Sequence, residues 1–536
     1  MINRRELLSS LLGLPLLNAG CGSSPGRLPE QGGFVGASDG VGHRVRDGWR
    51  PRPADDAWQK LPVVIVGGGI AGLSAARKLA RAGVEFILLE LEPEPGGTSR
   101  SGRSTVSAFP WGAHYLPVPF AGQTELIELL DEMEVLEGRD DNGVPIVAEQ
   151  FLCRDPQERL FINGTWHEDL FPWAMASEED RQQLARFEEA VNHWVAWRDS
   201  SGHRAFTLPV ADCSRDPDVL QLDSLRMSDW LRERGLTSPL LRWWIDYACR
   251  DDYGLRVDQT SAWAGLFYFA ARRDKPGAES QAFITWPEGN GRLVSHLAGV
   301  CGERLRSGWT VTEIHPVTPG PEPLIEVVAA SADGQVRGWR AARVIFAAPP
   351  FLARHLIPGY GRHGPASVSQ LTFGSWLVAN LELSDRPAEA GFPMCWDNVL
   401  FDSPSLGYVA ATHQHGRDRG PTVLTWYLPL CDDDPRAARQ RLLDGSWADW
   451  ADVVLADLER AHPDIRRLTV RLDLMRWGHA MVRPVPGLFQ SDVLEQCRQP
   501  FGGIHFAHSA LSGMALFEEA FHHGNRAADE VLASLR

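Results

Sequence analysis

Between residues 61 and 90 a β-branched apolar stretch runs into a glycine-rich turn and then into a helical pattern, an order that few folds accommodate. Leu61–Val66 is short and rich in Val and Ile, as a strand buried on both faces must be. It leads directly into Gly67-Gly68-Gly69-Ile70-Ala71-Gly72, a GxGxxG. Ile70, Leu73, Ala76, Leu79 and Ala80 follow at helical spacing, Gly83 stands at the C-terminal cap, and Val84–Leu89 forms a second strand ending at Glu90. Gly67 permits the tight turn, Gly69 lets backbone approach a pyrophosphate, and Gly72 lets the helix close on the strand. The helix N-terminus offers unpaired N–H groups and partial positive charge to phosphates. Glu90 stands about 20 residues on, where a carboxylate accepts ribose hydroxyls and disfavours a 2′-phosphate. The segment therefore predicts an α/β dinucleotide-binding unit, Gly68 and Ala71 included.

The remainder needs more than one core, because 536 residues exceed what a single domain usually covers. A formal net charge of -16 argues against a general nucleic-acid binder, which needs basic side chains to neutralise phosphates. The field suits a cationic small molecule better. Helical patterns dominate from about 120 to 285, over Glu125–Met133, Glu178–Trp197, Ser228–Arg234 and Leu240–Cys249. Strands at Trp376–Leu383 and Val423–Leu428 and a helix near Trp447–Ala461 follow.

The N-terminus reads as an address. Arg4-Arg5 precedes an apolar run from Leu7 to Leu17, too short to span a bilayer. The pair resembles a twin-arginine signal, and Ala19-Gly20-Cys21 resembles a lipoprotein cleavage site. Residues 1–21 are expected to be a signal peptide and Cys21 to carry lipid. Gly/Pro-rich residues 22–60 would then form a flexible linker, and the protein would be exported and periplasmic, held to the membrane by that anchor. The other cysteines are scattered, with no CxxC, so neither a metal site nor a disulfide framework is expected.

Glu90-Leu-Glu-Pro-Glu-Pro-Gly96-Gly97 resembles the extended fingerprint of the flavin amine oxidase superfamily, which includes amine oxidases, protoporphyrinogen oxidase and phytoene desaturase-type enzymes. The resemblance implies that Gly97 closes a loop over the pyrophosphate of FAD, with Thr98 in place of the usual arginine and Arg100 or Arg103 supplying the charge. Trp111-Gly112-Ala113-His114-Tyr115 matches the turn beside the isoalloxazine ring, and Trp286–Leu293 the element that returns the chain to the FAD domain. Trp309–Ile314 matches the strand whose Val311 backbone meets adenine, with Ala342–Pro349 as its partner strand. Gly503–Ser509 and the helix from Phe517 match the final flavin-binding strand and helix. There Ser509 replaces the usual acid, and Glu519-Ala520 the usual Gly-Ala. No cysteine stands where some members attach flavin, so a non-covalent FAD is implied.

The expected architecture is a Rossmann-like FAD-binding domain assembled from 61–120, 286–360 and 486–536. Residues 121–285 and 361–485 would form the inserted α+β substrate domain.

For the chemistry, the resemblance places His114 nearest the reactive ring, as an acid or base or as a histidine bonded to backbone. Tyr115 stacks or packs beside it, and Trp477 is a candidate cavity wall. Many relatives carry a lysine near the flavin, expected here within Thr372–Asn380, yet Lys60, Lys78 and Lys275 are the only lysines. Three readings follow. The first is amine oxidation, polyamines included, by hydride transfer to flavin with oxygen or another acceptor. The second is desaturation of a hydrophobic or cyclic substrate, and the third a flavin-binding redox partner without turnover.

Overall fold

Val63 to Val66 are completely or almost completely buried because both faces of their strand are covered. Alternate side chains enter different cores, as a period of two requires. Val63 and Ile65 pack with residues of the helices Ile70–Arg81, Gly291–Cys301 and Phe517–Leu535. Val64 and Val66 belong to a second cluster with Val327, Val344 and Phe346. A computed structural model describes residues 27–36, 39–317, 324–432 and 434–536 of the chain. The expected signal peptide and Cys21 lie outside the described residues.

Two sheets organise the molecule. The seven-stranded sheet runs Leu305–Arg306, Phe86–Leu89, Trp58–Val66, Val336–Phe346, Leu324–Ser331 and Trp309–Val317, with Ile504–Phe506 also on Val336–Phe346. Its parallel pairs surround Trp58–Val66, whereas Trp309–Val317, Leu324–Ser331 and Val336–Phe346 form an antiparallel meander. The C-terminal helix lies across the nucleotide helix at Gly524, where an added Cβ would stand 2.2 Å from the Ala71 carbonyl oxygen. Only glycine permits that approach. The eight-stranded sheet has Phe373–Leu383 near its centre, flanked by Thr469–Val482 and Thr422–Leu430. Helices Glu178–Ala196, Pro239–Tyr253 and Ala262–Ala270 pack beside it, the first opened by a capping box of Ser177 and Asp180.

The linker expected over 22–60 is corrected by the structure, which builds the described part into the fold. Gln31–Val35 pairs in parallel with Arg471–Met475 at the edge of the eight-stranded sheet. Asp39–Arg46 is helical, and the Arg50 guanidinium donates to the carbonyl oxygens of Val45 (2.7 Å), Trp49 (2.8 Å) and His355 (2.7 Å). Two of the glycines read as flexibility, Gly32 and Gly36, serve close approach instead. At Gly32, with φ of +140°, a Cβ would stand 1.9 Å from the Leu472 carbonyl oxygen.

Candidate functional site

The nucleotide cradle follows from where added side chains would fall. Gly67 has φ of +104°, and a Cβ on Gly72 would stand 1.9 Å from the Gly67 carbonyl oxygen. Both glycines are required by packing. Gly69 differs, because a Cβ there would meet nothing within 4 Å. It is the N-cap of the nucleotide helix and makes no side-chain cap bond, so the helix end opens onto free space. Gly97, with φ of +56°, lies across that space: its Cβ position is 3.7 Å from the Gly69 Cα. The neighbouring Gly96 N–H donates to the Gly68 carbonyl oxygen at 2.7 Å. The Glu90 carboxylate accepts from the N–H of Gly68 (2.5 Å) and of Glu92 (2.8 Å), while burial pushes its pKa up against those bonds. Trp309 N–H donates to the Glu90 carbonyl oxygen at 2.8 Å, which brings the Val311 strand to the ribose end. An open helix end, a fixed acid and a space no side chain fills suit a dinucleotide pyrophosphate and ribose.

From this cradle the chain passes to the turn at 110–115, which is gripped from both sides. Ala113 N–H donates to the Thr98 carbonyl oxygen at 3.0 Å, and Asn290 N–H donates to that of Ala113 at 3.1 Å. The other domain holds the same turn through Trp477 Nε1 to the Trp111 carbonyl oxygen (2.7 Å) and Tyr427 Oη to that of Gly112 (3.0 Å). His114 Nδ1 lies 3.2 Å from the Gly112 carbonyl oxygen, and its ring meets those of Tyr115, Tyr427 and Trp396 at centroid distances of 5.3, 5.1 and 5.3 Å. Burial carries the His114 pKa down to about 4. The imidazole is therefore neutral near pH 7, and Nδ1–H donates to Gly112. Of the two roles open for His114, this geometry matches the backbone-bonded one.

A cavity of about 150 Å³ opens against the turn, between the two sheets and the Pro239–Tyr253 helix. Thr98, Gly112, Ala113, His114, Tyr115 and Phe517 line one end. Trp376, Tyr427, Trp477 and Tyr247 add aromatic walls, and Asp251, Asp252, Asp397 and Glu518 bring carboxyl groups. Among the described residues Arg272 is the one cationic side chain in the lining. It is committed to Asp252 at 3.4 Å and donates to Tyr115 Oη at 3.3 Å. Asp397 accepts from Tyr247 Oη at 3.2 Å and from Asn398 N–H at 2.9 Å. Neither Asp251 nor Asp397 has a cation within 4 Å among the described residues. Burial, reinforced by Asp252, carries Asp251 up to about 7, and burial with Asp251 and Glu158 pushes Asp397 well above the carboxylate range.

The structure thus gathers His114, Tyr115 and Trp477 with Thr98, Gly112, Ala113 and Phe517 around one cavity, and Gly67, Gly68, Gly69, Gly72, Glu90 and Gly97 around the cradle. Ala71 serves the helix contact, and Val311 is buried in its strand. Ser509 opens the turn Ser509–Ser512 just before the C-terminal helix. Arg103 is exposed at the end of the Ser101–Arg103 hairpin strand, whereas Arg100 is buried. Arg100 lies 3.7 Å from the Glu92 carboxylate and 5.6 Å from the Trp477 ring. Sequence reasoning missed Asp251, Asp252, Asp397, Glu518 and Arg272. A usable signal was the Asp251-Asp252 pair inside a helix whose neighbours Tyr247, Ala248, Cys249 and Tyr253 are apolar or aromatic. Arg272 was hidden in an apparent polar turn, and Asp397 in a strand. Glu519, read as a departure, accepts from Val210 N–H at 2.7 Å and from Ser512 Oγ, and so ties the C-terminal helix to the helical insertion.

Cradle, gripped turn and adjoining cavity define a nucleotide-cofactor oxidoreductase of the two-domain flavoenzyme type. The family model for flavin-containing amine oxidoreductases matches residues 70–532, and the chain belongs to that family. It is 22% identical over 545 residues to Oxidoreductase PigB of Serratia sp. (strain ATCC 39006), covering 90% of this chain and 78% of that one. Among solved structures, wild-type putrescine oxidase bound to putrescine aligns with a TM-score of 0.64 at 18% identity, over 89% of this chain and all of that one (100%). Cyclohexylamine oxidase from Brevibacterium oxydans IH-35A aligns with a TM-score of 0.60 at 16% identity, over 89% and 100%. At such identities the structures show the shared fold. The cofactor is accordingly a flavin.

Proposed function

We propose that this chain is an FAD-dependent amine oxidoreductase that takes a cationic amine, polyamines included, and oxidises it by hydride transfer. The observation that carries the reading is the cavity itself, where Asp251 and Asp397 lack a counter-ion inside aromatic walls. Half-buried carboxylates with no cation beside them are costly, and an ammonium ion is the ligand that relieves the cost. Tyrosine and tryptophan faces add attraction for a cation.

Bound FAD supplies the hydride acceptor. The chain's own residues supply the rest. Gly67, Gly69, Gly72 and Gly97 shape the pyrophosphate cradle, Glu90 stands ready for the adenosine ribose, and Gly112 and Ala113 present backbone at the reactive end. Trp477, Tyr427 and Trp376 exclude water, while the acids hold the amine's charge. Among the described residues no cysteine lines the cavity, which supports non-covalent attachment. None of the three lysines lines it either: the Phe373–Leu383 strand contributes Trp376 and Val378, and Lys78 pairs with Glu125 (2.6 Å) and Asp529 (2.5 Å).

The desaturase reading draws support from the aromatic walls and the missing lysine, but the acids give a hydrophobic substrate nothing. Anaerobic mixing of the yellow protein with spermidine, simple monoamines and a lipophilic panel tests the choice, followed as bleaching of the visible flavin band. Bleaching by amines is the expected result. Bleaching by the lipophilic panel alone overturns it in favour of desaturation. Export and lipidation at Cys21 rest on the Arg4-Arg5 and Ala19-Gly20-Cys21 signals. Mass spectrometry of the mature N-terminus tests them, and an intact Met1 refutes both.

A further inference from the structure

An amine that arrives as an ammonium ion has no free lone pair, and the nitrogen must shed a proton before the adjacent C–H bond can leave as hydride. The proton needs an acceptor beside the bound amine, within a cavity whose walls are largely aromatic. Resting on the amine reading above, we propose that Asp251 takes this proton: an N–H bond of the ammonium breaks, an O–H bond forms on the Asp251 carboxyl, and a neutral amine and a neutral acid remain.

Three observations single out Asp251. It lines the cavity, and among the described residues it has neither a hydrogen-bond partner nor an ion-pair partner for its carboxylate. Asp397, by contrast, already accepts from Tyr247 and Asn398, and Asp252 is held by Arg272. Finally, the cations near Asp251 are engaged elsewhere. Arg250 binds Asp246 at 3.0 Å and the Ser403 and Pro404 carbonyl oxygens at 3.1 Å each.

The groups facing Asp251 are otherwise acids and phenols. Its own helix presents Tyr247, Asp252 and Arg250; the neighbouring strands present Asp397, Glu158 and Tyr427; Tyr268, Arg272 and Tyr115 complete the surroundings. Among these, the clustered acids cannot all ionise readily, because like charges and burial both favour protonation. The same burial weakens an ammonium ion's hold on its proton. A charged pair thus becomes a neutral pair without either group leaving the cavity. Asp251, carried up to about 7, exchanges a proton readily near neutrality.

The test is the pH profile of kcat/KM for the flavin-loaded protein with an oxidisable primary amine, compared with Asp251→Asn and Asp397→Asn. Without Asp251 only amine that is already neutral in solution reacts, and an alkylammonium of pKa about 10.4 supplies on the order of 10⁻³ of that form at pH 7. Asp251→Asn is expected to lose on the order of 10³-fold at pH 7 and to recover toward wild type near pH 10. Asp397→Asn should keep the wild-type rise through about pH 7. A second readout uses ¹⁵N-labelled tert-butylamine, which has no hydrogen on the carbon next to nitrogen and so binds without turnover. Its NMR shift should be that of a neutral amine in wild type and of an ammonium in Asp251→Asn. An ammonium shift in wild type, or a loss in Asp251→Asn equal at every pH, overturns the proposal while leaving amine oxidation standing. If no amine binds or bleaches the flavin, the amine reading falls and this one falls with it.

Discussion

Replacing Gly69 with alanine separates what the glycine-rich turn does for the cofactor from what it does for the fold. The residue sits at φ of -73° and ψ of -179°, backbone that alanine adopts without strain, and the added methyl meets nothing within 4 Å. Folding stability should change by less than about 1 kcal/mol, since the less flexible unfolded chain offsets the poorer N-cap that alanine makes. The methyl would, however, occupy the space assigned to the pyrophosphate. Displacing a phosphate from a helix N-terminus forfeits ~1–2 kcal/mol of dipole interaction, so FAD affinity should fall ~5- to 30-fold. Gly72→Ala is the counterpart, because its methyl would lie 1.9 Å from the Gly67 carbonyl oxygen, with backbone on both sides of the clash. That variant should lose about 3 kcal/mol or more of stability. Titration of apoprotein with FAD, followed by flavin fluorescence, measures the first effect, and urea unfolding without FAD measures the second. Wild-type FAD affinity in Gly69→Ala, or early unfolding of its apoprotein, would refute the placement of the cradle.

Four further outcomes are expected. Burial raises Asp251 from 3.8 to about 7, so folded protein binds that proton more tightly than unfolded chain does. Its contribution is full below the unfolded value and is lost as pH rises to about 7, a swing of at most ~4 kcal/mol. Asp251→Asn should accordingly raise the thermal midpoint at pH 8 and not at pH 4, and parallel midpoint-versus-pH curves would contradict this. Arg272→Met strands Asp252 and Glu518 without their cation, and should cost ~3–5 kcal/mol at pH 8 and less at pH 5, read by denaturant midpoints at both pH values. Glu519→Ala leaves Val210 N–H and Ser512 Oγ without their acceptor; a loss of about 1–3 kcal/mol is expected in the same assay. Gly32→Ala drives a methyl into the Leu472 carbonyl, so limited proteolysis within residues 27–52 should quicken while the remaining chain resists.

The nucleotide-binding half was legible residue by residue because its rules are local. A tight turn at Gly67, a helix–strand contact at Gly72 and an acid at the end of the next strand all lie within one stretch of about 30 residues. Hydrophobic periodicity likewise located the helices near 178–197 and 240–249 and the strands near 376–383 and 423–428, since burying one face or both leaves its mark along a single element. The wall of the cavity left no such mark. Asp251, Arg272, Asp397 and Glu518 come from four separate segments; apart from the Asp251-Asp252 pair within an apolar helix, each alone resembles an ordinary surface charge. The same blindness made Gly32 look like part of a tether, although its lack of a side chain is what lets that strand lie against Leu472. The sequence by itself determined that a dinucleotide would be gripped, because the grip depends on backbone shape coded in neighbouring residues. Only the tertiary structure decided which carboxylates line the cavity without a cation beside them, because the charge state of such a group depends on what packs around it from remote parts of the chain.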